Sequence, residues 1–163
     1  MAAINYQTIN AYFDDLQQKH VDLKSFFRFD LSEIMGKMRN GVEYPALLLE
    51  DTALSLADNG AQNKSESFEV SFLVLKTSKP KEYDLTELAL ADCLEIAKEI
   101  ERRLQADAEN PSHWLYNRYD QSQTNFHKVG PIFADTCWGY RCSIILTNTD
   151  VQRLPTAAKW SDL

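Results

Sequence analysis

The chain is short of the residues that most site chemistry needs. Three cysteines, three histidines and five glycines are spread over 163 residues. An odd number of cysteines gives no complete disulfide framework and suits a reducing compartment. Cys137 and Cys142 lack both a CxxC partner and a nearby histidine. Five apart on a strand, they fall on opposite faces and cannot share a metal. His20, His113 and His127 are far apart in sequence, and Gly36, Gly41, Gly60, Gly130 and Gly139 have neither GxGxxG nor Walker spacing. Phosphate-binding loops are thereby excluded, as is a GxSxG nucleophile elbow. The paired acids Asp14-Asp15 and Glu50-Asp51 diverge from each other, which leaves Asp135 and His127, across a predicted hairpin, as the one acid–imidazole combination placed to meet. No catalytic residue, cofactor site or metal site is assigned, and no enzyme activity is expected.

Long apolar runs are also missing. No stretch of about 18 apolar residues occurs, so no transmembrane helix or membrane partner is expected. The start, MAAINYQTINAYFDDL, has neither a basic leader nor an apolar core, so the expectation is a cytoplasmic protein without a secretory signal. Basic clusters are absent too. Seventeen Lys and Arg against 24 Asp and Glu give a net charge of −7, and nucleic acid is not an expected partner.

What is present is a strong helix signal at residues 84–106. Leu85, Leu88, Ala89, Cys93, Ile96, Ala97, Ile100 and Leu104 form one apolar stripe at helical spacing, widened by Leu90 and Leu94. Asp84 and Glu87 read as a capping box, Glu99 and Arg103 as an i,i+4 pair, and Asn110-Pro111 as the stop. At ~1.5 Å per residue this helix is about 33 Å long, enough to cross a small sheet. Residues 84–109 hold eight acids against three bases. That side is a solvated outer face or, with Asp92, Glu95 and Glu99, an acidic wall toward a partner or pore.

The rest reads as material packed around it. Ile9, Phe13, Leu16 and His20 predict a helix over residues 5–20, and residues 25–29 a short strand or an anchoring turn. Asp30 and Glu33 cap a predicted short helix over 31–38, which Asn40-Gly41 closes. Residues 42–50 predict a strand in which Pro45 marks either an edge position or a late start. Residues 51–65, rich in Asp, Asn, Gly and Ser, read as a long loop. Over 67–77, Phe68, Val70, Phe72 and Val74 alternate onto one face of a strand. Trp114, Tyr116 and Tyr119 follow the long helix as a packing shelf or contact group. A strand over 124–133, bent at Gly130-Pro131, then pairs with a strand over 137–148 carrying Trp138, Tyr140, Cys142, Ile144 and Leu146 on one face.

The order implies one α+β domain over residues 1–148 and a C-terminal tail over 149–163. Its sheet is mainly antiparallel with about four strands, the long helix packed on the Phe68/Val70/Phe72/Val74 face. The opposite face, with Leu47, Leu49, Leu73, Leu75 and Ile145, is left for the N-terminal helix or another subunit to cover. In the tail, Trp160 either folds back or anchors on a neighbour.

An N-terminal helix, a strand pair with a long loop (YPALLLED and SFEVSFLVLK), a long helix and a closing hairpin resemble the phage tail-terminator family, which extends to contractile, phage-like injection systems. The resemblance lies in element order and size over about residues 1–148. It implies a non-enzymatic structural subunit, a homo-oligomer forming a hexameric ring that caps a tail tube, with tail-tube or head-completion proteins as partners. Candidate subunit-interface residues are Val42, Tyr44, Leu47, Leu49, Glu50, Asp51 and Trp160, together with the loop to residue 65. A second reading, from the residues alone, is a small ligand-binding or regulatory domain that uses the uncovered sheet face, with Trp138 and Tyr140 as pocket walls.

Overall fold

The computed structural model describes residues 4–28, 42–58, 64–78, 81–132 and 136–148. The predicted short helix over 31–38, Asp135 and the tail with Trp160 lie outside the described residues. The chain is an α+β protein with a mixed, mostly antiparallel sheet. Its elements are α1 (Tyr6–Lys19), β1 (Ser25–Arg28), β2 (Ala46–Leu49), β3 (Ala53–Asp58), β4 (Lys64–Thr77), α2 (Tyr83–Glu109), β5 (Asn125–Ile132) and β6 (Cys137–Asn148). Among the described residues the sheet has six strands rather than about four. Their order is β1-β2-β4-β6-β5, with β3 also paired to β4.

β4 organises the sheet. Its alternating apolar residues suit a strand with both faces in use, and β6 pairs along it from Glu66↔Asn148 to Thr77↔Cys137. On its other edge β2 and β3 follow one another, Leu49 opposite Phe72 and Ala53 opposite Glu69. Four steps on one side thus face three on the other, a bulge that the Glu50 N–H bridges by donating to the Ser71 carbonyl at 2.9 Å. The stretch expected to be a loop over 51–65 therefore holds β3 and the start of β4. Its Ala-Leu-Ser-Leu-Ala run has period-two alternation that the surrounding polar residues mask. β1 is a strand, parallel to β2.

Both helices cover the same face. Ala89, Cys93, Ile96, Ala97, Ile100 and Leu104 of α2 and Ile9, Phe13 and Leu16 of α1 are buried there. They pack against Val70, Phe72, Val74, Cys142 and Ile144, and the Phe13 and Phe72 rings stand 5.3 Å apart. Leu47 and Leu49 belong to this core as well, because their partners Val74 and Phe72 point to the helix side. The expected grouping of Leu47 and Leu49 with Leu73 and Leu75 is corrected by that register, and α1 does not cover the other face. Leu48, Leu73 and Leu75 form a second buried cluster there, with Phe27, Tyr44, Val129 and Ile132 against it.

The ends of the helices follow from local chemistry. Asn5 caps α1 through its Oδ1, which accepts from the Thr8 N–H at 2.9 Å. α2 starts at Tyr83, one residue before the expected cap, and Glu82 makes no side-chain cap bond. Asp84 instead sits in the first turn, where its charge complements the helix dipole. Leu85 and Leu88, expected in the apolar stripe, are 52% and 61% exposed because α2 there overhangs the sheet end. Arg103 pairs with Asp107 at 2.8 Å and Glu99 with Arg102, so the expected Glu99–Arg103 pair is replaced by two others. In β5, Gly130 takes a φ of +117°, open to glycine, where the register shifts between Val129 and Ile132.

Candidate functional site

The candidate interface residues separate once side chains are placed. Leu47 and Leu49 are fully buried under the helices and offer nothing to a neighbour. The half-buried Tyr44 packs on the helix-free face, where its hydroxyl accepts from the Cys137 thiol at 3.2 Å. The Glu50 side chain is held by Arg141, whose Nε and Nη2 reach Glu50 Oε2 at 2.7 and 2.6 Å. Arg141 Nη2 also donates to Ser71 Oγ at 3.2 Å, so this ion pair ties β2 to β6 across β4. Val42 is half-buried, and Asp51 is exposed at the bulge. Trp138 and Tyr140 do not wall the helix-free face. Tyr140 packs against the main core, and Lys128 stands over the Trp138 ring at 5.4 Å, which places both aromatics on the helix side.

The exposed apolar surface lies on β3. Leu54 and Leu56 are 53% and 74% exposed, and they oppose Phe68 and Glu66 on the helix side of the sheet, beyond the reach of the helices. Among the described residues β3 pairs with β4 alone, and its outer row of backbone N–H and C=O groups meets no other described strand. The other sheet margin, β5, is guarded differently, with Lys128, Pro131 and an irregular register. A second apolar surface stands at the start of α2. Exposed Leu85 and Leu88 line a groove of about 830 Å³ with Lys76, Ser78, Glu82 and Thr136. β4 runs from beside β3 to beside this groove, so the two surfaces occupy opposite ends of the molecule.

The acidic side of α2 is less charged than its composition implies. Asp92 pairs with Lys76 at 2.5 Å and Glu95 with Lys98 at 2.8 Å, while Glu101 and Asp107 turn inward. Asp107 Oδ2 accepts from Tyr12 Oη and Arg103 Nε, both at 2.8 Å. Burial alone raises its carboxyl, but the hydrogen bonds from Arg103 and Tyr12 outweigh that and hold it below the ordinary carboxylate range. Burial, reinforced by the bond to Asp107, pushes the Tyr12 phenol well up. Tyr119 donates to Glu101 Oε1 at 2.8 Å in a similar way. These arrangements hold α1 and the segment after α2 to the helix.

Among the described residues no group of three His, Cys, Asp or Glu side chains is close enough to hold a metal ion. No helix there is long and apolar enough to cross a membrane. The three cysteines are free and buried. The chain matches no protein-family model and no curated protein.

Proposed function

We propose that this chain is a non-enzymatic structural subunit of the tail-terminator kind, which assembles in the cytoplasm with copies of itself into a ring capping a phage or phage-like tail tube. The observation that carries this reading is β3. An edge strand with exposed leucines and no lysine, proline or bulge along its length is a pairing surface, since isolated edges are ordinarily blunted by such features. A ring needs two unlike surfaces per subunit, so that each copy's contact leaves the next one open until the rotation closes. The polarity of the molecule, with different apolar surfaces in different places, fits that requirement.

Light scattering over a concentration series, with negative-stain images of the largest species, tests the reading. The expected particle is a closed ring with about six times the mass of the 18.7 kDa chain. Leu54→Lys with Leu56→Lys is expected to leave the fold intact and abolish the ring. A native chain that stays monomeric at every concentration, alone and with tail-tube protein, overturns it.

A further inference from the structure

Between α1 and β1 runs a groove of about 620 Å³ whose lining includes Tyr6, Asn10, Asp14, Phe26 and Arg28. Asn10 is 4% exposed, yet its Oδ1 has no hydrogen-bond partner. A buried amide left unpaired is unfavourable, and native structures rarely keep one without a use. An unpaired amide oxygen is the complement of a backbone N–H donor. Beside it, β1 is the outermost strand on its flank of the sheet, pairing among the described residues with β2 alone. A strand edge without a second partner among the described residues and an unpaired buried amide oxygen on one groove together select an extended peptide over a compact metabolite.

Among the described residues β3 is the strand suited to that place. β1 stands one strand further out than β3 on the same flank of β4, which makes the sheet margin stepped. A protruding β1 from one copy fits the recess beside β3 of another. Leu54 and Leu56 lie on the helix side of the sheet, the side on which α1 walls the groove. The exposed apolar surface at the start of α2 has no strand edge and does not compete for a strand. We propose that the α1–β1 groove of one copy receives β3 of a second copy, with the Asn10 amide pairing to the incoming backbone. This rests on the self-assembly reading and names its contact.

The test uses the full ¹⁵N-labelled chain and a synthetic peptide of residues 51–58, DTALSLAD, as the probe. The peptide is expected to shift amide resonances of Tyr6–Asp14 and Ser25–Arg28, and a peptide with both leucines replaced by lysine to shift none. Asn10→Leu is expected to melt at the same or higher temperature while binding the peptide about tenfold more weakly and assembling less. Shifts confined to the start of α2, no shifts at all, or an Asn10→Leu chain that binds and assembles like the native one would overturn the proposal. A ring that forms equally well in Asn10→Leu would sink this contact and leave the ring reading standing. A groove that binds the peptide in a chain forming only a reciprocal dimer would keep the contact and sink the ring.

Discussion

Tyr12 and Asp107 join residues 95 positions apart by a buried hydrogen bond of 2.8 Å. Tyr12→Phe removes the donor and leaves a carboxylate oxygen less satisfied, with an expected loss of about 1–2 kcal/mol by urea unfolding at neutral pH. Asp107 has its folded-state pKa below the ordinary value near 3.8. Its contribution is therefore fully present above that value and disappears as the pH falls through the folded one. Asp107→Asn is expected to flatten the stability profile below about pH 4, and an unchanged acid limb would show that other carboxylates dominate it. The thiols behave differently. Burial pushes Cys93 and Cys142 up to about 12. Iodoacetamide at mildly alkaline pH is expected to modify these two in urea and to leave them untouched in the native protein, as judged by intact mass.

At the scale of elements, the strands and helices that the sequence revealed are those whose period is undisturbed. β6 keeps Trp138, Tyr140, Cys142, Ile144 and Leu146 on one face, and its limits Cys137–Asn148 were readable directly. β3 was hidden because its six residues are flanked by Asp, Asn and Gly, and because alanine and serine carry little strand signal. The face of Leu47 and Leu49 was hidden for another reason. It depends on the register against β4, which pairs residues 23 to 29 positions apart and leaves no local trace. The candidate interface suffered from this directly, since two of its leucines proved to be core. Two substitutions probe the packing that the register creates. Phe13→Ala empties space against Phe72 and is expected to lose about 3–5 kcal/mol. At Gly139 an added Cβ would stand 1.9 Å from the Val74 carbonyl oxygen, so Gly139→Ala is expected to force β6 off β4 and lose about 3 kcal/mol or more. A Gly139→Ala chain with native melting temperature would show that the two strands adjust freely.

For the whole molecule, charge and apolar surface oppose each other. Each copy carries −7, so copies repel, and the proposed apolar strand contact has to overcome that repulsion. Raising sodium chloride from about 20 to about 150 mM shortens the range of the repulsion. The assembled fraction is therefore expected to rise with salt in light scattering, whereas a contact made of ion pairs would weaken.

The twelve-pair ladder between β4 and β6 also has a mechanical meaning. A pull along the strands loads all of its hydrogen bonds together, because they lie across the direction of force. A pull across the sheet opens them one after another from an end. The fold is stiff along one axis and tears easily along another, so the direction of a load on it matters as much as its size.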